Sequence, residues 1–147
     1  MKVEIFALCD AATVDMAGKL NILGTFDCIN SHQSPIVHPL CAVAMKCRFT
    51  KVEEGQKRFR ISVIDSDGRL IMPSLDAQTQ IHIPPDSSTA TAQFVLVMPQ
   101  IKLPNFGEYS IDLAVDGRQE ASIPLYVKQI PLLPPMPPPS PPEAHPE

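Results

Sequence analysis

One stretch decides the fold of this chain: Glu108 to Val127, which reads EYSIDLAVDGRQEASIPLYV. Apolar and polar residues alternate from Tyr109 to Asp116, and the alternation resumes from Ala121 to Val127. A period of two puts every second side chain on the same face, which is typical of a β-strand with one buried face. Asp116-Gly117 lies between the two runs and favours a tight turn. The stretch therefore predicts a β-hairpin.

The same alternation constrains the turn of this hairpin. A two-residue Asp116-Gly117 loop would pair Leu113 with Glu120, so that core and charged residues would share a face. A three-residue loop ending at Gly117 instead pairs Ile111 with Ala121 and puts Gly117 in the left-handed conformation. We therefore predict a three-residue or bulged hairpin.

The rest of the chain repeats the two-residue period in short runs separated by turn residues. Predicted strands are 3–9, 19–27, 40–50, 57–66, 77–83 and 89–98, with loops over 10–18 and 29–39 and prolines between the runs. No stretch has helical spacing over three turns. Eight or nine short strands, with turn signals every ~8–12 residues, indicate an all-β fold: an antiparallel two-layer β-sandwich of immunoglobulin-like architecture.

The composition changes after Val127. Residues 130–147 contain nine of the chain's 17 prolines and no aromatic residue. Such a segment has too few apolar side chains to form a core. We predict one β-sandwich domain over 1–128 and a proline-rich tail over 129–147, which is disordered or forms polyproline II helix.

Charge, hydropathy and cysteine content indicate which partners and which cellular location to expect. The net charge is −4 and the basic residues are scattered, which argues against nucleic acid as a partner because phosphate binding needs a basic surface. No run approaches the roughly 20 apolar residues of a membrane-spanning helix. The expected location is the cytoplasm, where the four cysteines stay reduced. Cys41 and Cys47 share the strand face of apolar neighbours and are predicted to pack in the core.

A family resemblance supports this assignment. The segment Leu8 to Ile29 reads LCDAATVDMAGKLNILGTFDCI, and it is followed in order by HP, DG and FGEYSIDLAVDG elements. This pattern resembles a widespread bacterial family of small uncharacterised proteins over residues 1–128. The resemblance implies a bacterial cytoplasmic single domain. Because the family is a domain of unknown function, it implies no catalytic residues.

Cysteines and histidines in and beside the second loop are weak candidates for a metal site. Their spacing is C-x3-H-x5-H-x2-C, and the residues are Cys28, His32, His38 and Cys41. Cysteine and histidine are zinc ligands, but structural zinc sites usually contain tight C-x2-C pairs, which are lacking here. The alternative is that these residues are exposed loop histidines and core cysteines. No cofactor is predicted.

Signatures of catalysis are also weak. Asp65-Ser66-Asp67-Gly68 resembles the start of a calcium loop but lacks its later acidic ligands, so a turn is favoured. The sequence has no G-x-S-x-G elbow and no glycine-rich phosphate loop. We predict no catalytic residue and no enzymatic activity. A hydrolase whose site is assembled across loops is a competing hypothesis.

The tail contains one recognisable partner motif, residues 128–134, which reads KQIPLLP. A basic residue followed by hydrophobic-proline steps is the form that SH3 grooves bind. The candidate partner-binding residues are Lys128, Ile130, Pro131, Leu133 and Pro134. The competing hypothesis is a stiff spacer without a partner.

The sequence therefore favours a non-enzymatic β-sandwich that acts as a binding or scaffolding module with a protein partner. An exposed edge strand would also allow a homodimer, unless basic residues protect that edge. The basic residues predicted to do so are Lys46, Arg48, Arg58 and Arg60. Two hypotheses compete with the binding module: a small-molecule or metal-binding protein that uses the 28–41 loop, and the hydrolase.

Overall fold

A computed structural model describes residues 1–142 and 144, and within them the chain forms nine strands in two sheets. The strands are β1 (Lys2–Val14), β2 (Leu20–Thr25), β3 (Cys28–Ser31), β4 (Ile36–Thr50), β5 (Gly55–Ile64), β6 (Leu75–Ile81), β7 (Thr89–Leu103), β8 (Gly107–Val115) and β9 (Arg118–Gln129). A single 3₁₀ turn, Lys51–Glu53, follows β4. The strand order is β2-β1-β4-β7 in one sheet and β3-β9-β8-β5-β6 in the other.

The two sheets face each other across one apolar core, which confirms the predicted all-β, two-layer fold. On β4 every second side chain from Cys41 to Phe49 points inward, and none of these is more than 1% exposed. Phe49 meets Phe59 of β5 with ring centroids 6.3 Å apart and the rings close to perpendicular. Burial of a large apolar side chain stabilises a fold by ~1.5–3 kcal/mol, so this row is a principal source of stability. The immunoglobulin-like connectivity remains a prediction.

The β8–β9 hairpin keeps the apolar residues of its two strands on one face, but not by the predicted three-residue loop. The turn has two residues, Asp116 and Gly117, with φ angles of 50° and 80°, and Val115 pairs with Arg118. The register then shifts, so that Leu113 pairs with Ala121 rather than with the charged residue before it. The three-residue loop is therefore wrong, but a bulged hairpin is present and keeps the apolar residues on one face.

Three other features of the fold differ from the prediction. β1 continues through the predicted 10–18 loop as far as Val14, and only the short turn 15–18 remains. β3 (Cys28–Ser31) takes up the start of the predicted 29–39 loop and pairs in parallel with β9, so the prediction of a wholly antiparallel fold is wrong for this pair. Prolines also lie inside strands, at positions 39, 99 and 124. Pro39 is tolerated because β1 pairs with β4 only from Ala42 onward, which leaves one side of β4 without a strand there.

Glu53 and Glu54, in and just after the 3₁₀ turn, hold three parts of the chain together. The Glu53 carboxylate accepts hydrogen bonds from the Met1 amino group and from the Thr50 backbone N–H and hydroxyl. These donors lower the pKa of Glu53 to about 2, with the Met1 amino group as the largest cause. The Glu54 carboxylate accepts the Ile83 backbone N–H at 3.1 Å, which lowers its pKa as well.

We expect Gly117→Val to destabilise the domain by about 1 kcal/mol or more. Among the described residues, no heavy atom lies within 4 Å of where a Cβ would be added, so we attribute the cost to the positive φ. Urea unfolding measures the change in the free energy of unfolding. Gln119→Val, at an exposed β9 position without a positive φ, is the matched control and should be close to neutral. Equal stability of Gly117→Val and the wild type would contradict the left-handed turn.

Acid should remove the stabilisation that Glu53 provides. Its pKa falls from 4.5 to about 2 on folding, so the contribution is complete above pH 4.5 and is lost as the pH drops from 4.5 towards 2. Glu53→Gln should therefore lower the thermal midpoint at pH 6 and flatten its dependence on pH in that window. Glu108→Gln, an exposed acid on β8, is the control. An unchanged pH profile in Glu53→Gln would show that its hydrogen bonds do not contribute to stability.

Candidate functional site

The four candidate metal ligands are not brought together as one group. Cys28 and His38 line the same surface hollow. His32 lies at the other end of β3, where its Nδ1 is 3.0 Å from the Ile130 carbonyl oxygen. Cys41 is buried in the core, and burial raises the pKa of its thiol to about 11. In residues 1–142 and 144, no three Cys, His, Asp or Glu side chains form a group able to hold a metal ion.

The hollow that contains Cys28 and His38 lies where β3 of one sheet approaches β1 and β4 of the other. It measures about 450 Å³ and is lined by Asp10, Phe26, Cys28, Ile29, Asn30 and His38. The His38 ring packs 5.5 Å from the Phe26 ring, and its Nε2 atom is buried without a hydrogen-bond partner in the described chain. Phe26 also borders a second hollow of about 420 Å³, which contains Asp27.

The remaining acidic candidate, the 65–68 segment, serves as a turn. Asp65 Oδ1 accepts the backbone N–H groups of Asp67 and Arg69, both at 2.9 Å. These are the hydrogen bonds of an Asx turn, in which an aspartate side chain caps the following backbone. Asp65 therefore has a local structural role, as the turn interpretation predicts.

A more extensive candidate site is β7, which forms one edge of the four-stranded sheet. β7 is 15 residues long, whereas the other edge strands, β2, β3 and β6, have six, four and seven residues. It carries no charged residue between Thr89 and Ile101. Soluble proteins usually protect edge strands with charges, bulges, prolines or short length, because unpaired backbone N–H and C=O groups attract other strands. Residues 89–98, named the β7 edge below, have none of these protections.

The four basic residues predicted to protect an edge lie on interior strands, so that prediction is wrong. Lys46 and Arg48 are on β4, between β1 and β7, and Arg48 forms an ion pair with Glu4 of β1. Arg58 and Arg60 are on β5, between β8 and β6. Their side chains alternate with core residues on their own strands, and this pattern does not reveal which strand lies at the edge.

The inner side of the β7 edge leaves part of the core open. Four of its side chains pack against the core but are only partly buried: Ala90, Ala92, Phe94 and Leu96. The Phe94 ring reaches the centre of the sandwich, with its centroid 4.5 Å from that of Phe59. The inward side chains of the adjacent β4 are at most 1% exposed. The core is thus fully covered at β4 and only partly covered along β7, where Met98 is the one inner residue of the β7 edge that is fully buried.

One part of the outer side of the same sheet is also apolar. We name as the outer strip five residues of β4 and β7: Leu40, Ala42, Ala44, Val95 and Val97. Ala42 and Ala44 are almost fully buried there with Cys9, under Val95 and side chains of β1 and β2. Val97 and Leu40 remain 56% and 53% exposed. Contiguous apolar surface of this kind marks interaction sites in soluble proteins.

Comparison with known families agrees with the resemblance seen in the sequence. A profile of a family of unknown function, DUF6941, matches residues 4–128. The chain belongs to DUF6941. No curated protein matches it.

The DUF6941 match includes all of β4 and β7, and therefore the β7 edge and the outer strip. The sequence does contain a signal for the β7 edge, since residues 89–101 form a long uncharged run. That signal becomes informative only with the strand order, which shows that the run lies at an edge.

The proline-rich tail begins where the DUF6941 match ends. β9 continues to Gln129, and Lys128 is still a strand residue, with its ammonium 5.9 Å from the centroid of the Tyr126 ring. Ile130 is tied to β3, because its N–H donates to the Ser31 carbonyl oxygen at 2.9 Å. From residue 131 to 142, and at 144, the chain is exposed and has no regular secondary structure.

The five candidate partner-binding residues of the tail therefore fall into two groups. Lys128 and Ile130 are engaged by the domain, whereas Pro131, Leu133 and Pro134 are exposed. The role of all five residues in partner binding remains a prediction, and so does the domain boundary at residue 128. The predicted state of residues 143 and 145–147 lies outside the described residues.

We expect a chain ending after Pro131 to keep the thermal midpoint of the full chain, because every removed residue that the structure describes is exposed. A chain ending after Gln129 also loses the hydrogen bonds of Ile130 to Ser31 and His32. We expect their absence to reduce the free energy of unfolding by about 1 kcal/mol, which corresponds to a thermal midpoint roughly 3 °C lower. Calorimetry of the two truncated chains makes the comparison. A large drop for the longer one would mean that the tail packs on the sandwich.

Proposed function

We propose that this protein is a non-enzymatic binding module that pairs with a strand of another polypeptide along the β7 edge. The observation that carries the proposal is the combination of length and absence of charge in β7, which is the longest edge strand of the described chain and has no charged residue from Thr89 to Ile101. Strand addition at a sheet edge is a common mode of protein recognition, in which backbone hydrogen bonds supply affinity and flanking side chains supply specificity.

The side chains around the edge support the same proposal. An added strand would cover the partly buried inner residues Phe94 and Leu96, and would extend the outer strip next to Val97. Removal of apolar surface from water contributes roughly 25 cal/mol per Å². The backbone hydrogen bonds and the apolar cover would thus favour the same position of the partner.

The setting of this function is also part of the proposal. We expect a bacterial cytoplasmic protein, in which the partly exposed Cys28 stays a thiol. No helix in the described residues is long and apolar enough to cross a bilayer. The net charge of −4 supports a protein rather than a nucleic acid as the partner. The proline-rich tail adds a second, separate recognition element through Pro131, Leu133 and Pro134.

Affinity capture from native lysate with tagged variants tests the proposal. Val97→Lys puts a charge on the β7 edge at a position that is already 56% exposed, so the fold should tolerate it. Capture of a partner should fall about tenfold, because the ammonium would have to be desolvated beside the added strand. Val52→Lys is the matched control, since Val52 is 93% exposed and lies in the 3₁₀ turn.

Three results of this experiment are informative. Loss of capture in Val97→Lys but not in Val52→Lys is the expected result. Equal capture by both variants would exclude the β7 edge as the binding surface. A chain ending after Ile130 that loses a partner retained by Val97→Lys would assign that partner to the tail.

A further inference from the structure

We infer that the polypeptide that pairs with β7 is a second copy of this chain, held antiparallel about a twofold axis that passes through Phe94. This inference rests on the proposed function, because it names the partner of the same edge. The two copies would form one continuous eight-stranded sheet, in the order β2-β1-β4-β7-β7-β4-β1-β2. Twofold dimers are the most common symmetric assemblies, and their interface must be complementary to itself.

The position of the axis follows from the straight part of β7. The strand begins at Thr89 and pairs with β4 from its first residue. Gln100, with a φ of 49°, ends the straight part directly after Pro99. Phe94 is the midpoint of 89–99. An axis at this residue pairs the greatest length of straight strand, and it places Pro99, which has no N–H to donate, at the outer end of the pairing.

Side-chain size is complementary across this axis on the inner face. Residues whose numbers add up to 188 become direct cross-strand neighbours, so Phe94 of one copy lies opposite Phe94 of the other. Ala92 of one copy then lies opposite Leu96 of the other, and Ala90 lies opposite Met98. On either side of the central Phe94 pair, the partly buried Leu96 faces the smaller Ala92, and Met98, already fully buried in its own domain, is in register with Ala90. Large residues opposite small ones fill the space between facing positions. These include the inner residues that the single domain leaves partly exposed.

Charge is compatible with self-pairing. The paired segment has no charge that would face its own copy, so two molecules with a net charge of −4 meet along a neutral strand. The first charges beyond its two ends are Asp86 and Lys102. Their numbers also add up to 188, so the same axis brings the acidic end of one copy towards the basic end of the other, twice. The midpoint of the straight segment and the charge pattern thus select the same axis.

Sedimentation equilibrium of the full chain over a wide concentration range tests the inference. The wild type should dimerise, and Val97→Lys should raise the dimer dissociation constant by about tenfold, since two symmetry-related cross-strand pairs change at once. Val52→Lys should leave it unchanged. Circular dichroism checks that each variant stays folded.

A compensating substitution tests the axis itself. Across an axis at Phe94, position 97 of one copy faces position 91 of the other. Adding Thr91→Glu to Val97→Lys should therefore restore dimerisation, because a carboxylate would face the new ammonium at both positions. Within one copy the two positions are about 20 Å apart along the strand, so restoration has to arise between copies. Thr91→Glu alone should not strengthen the wild-type dimer.

The outcomes separate this inference from the proposed function. Dimerisation that is weakened by Val97→Lys and restored by the added Thr91→Glu supports the twofold at Phe94. A wild type that stays monomeric, a dimer insensitive to Val97→Lys, or a failure of Thr91→Glu to restore it would each overturn the inference. If the wild type is monomeric and lysate capture still depends on Val97, strand pairing with a different polypeptide stands. If capture is also independent of Val97, both proposals fall.

Discussion

The structure depends on the pairing and burial of β4. This strand has β1 on one side and β7 on the other, and its inner row from Cys41 to Phe49 closes the core against the opposite sheet. Over the segment Ala42–Ala44 its outer face is buried as well, beneath a small apolar cluster. A strand buried on both faces has little tolerance for a change of register, since a slip of one residue would exchange the two sets of side chains. The positions of β1 and β7, and hence the exposure of the β7 edge, follow from it.

The local parts of this fold were predictable from the sequence because they depend on a period of two over adjacent residues. The strands of the β8–β9 hairpin and the inward row of β4 follow from alternation alone. The hairpin also shows where such reasoning stops. The alternation showed that one extra residue is needed between Leu113 and Ala121. It did not show where, because an extra residue in the loop and a bulge in the strand bring the same side chains to one face. The parallel pairing of β3 with β9 was missed because it joins segments about one hundred residues apart.

The candidate sites differ in a similar way. Cysteine and histidine stand out by residue type, and so Cys28, His32, His38 and Cys41 were easy to select. Their grouping depends on side-chain direction, and the fold turns Cys41 into the core and His32 towards the tail. The β7 edge has no unusual residue type. Its distinguishing property is the lack of charge on a strand that has one neighbour, and the number of neighbours is a property of the complete sheet. Residue chemistry alone therefore directs attention to the loop rather than to the edge.

The order of strands in the first sheet has a consequence for the chain during its synthesis on the ribosome. β4 pairs with β1, which precedes it, and with β7, which is synthesised only after residues 51–88. At about 5–20 residues per second, the ribosome needs roughly 2–8 s to make that interval. During this time one side of β4 has no partner, although this is the strand with the most deeply buried side chains. A nascent chain of this protein therefore exposes, for seconds, the strand that becomes the most buried one, and it is in this interval that a chaperone would have most to bind.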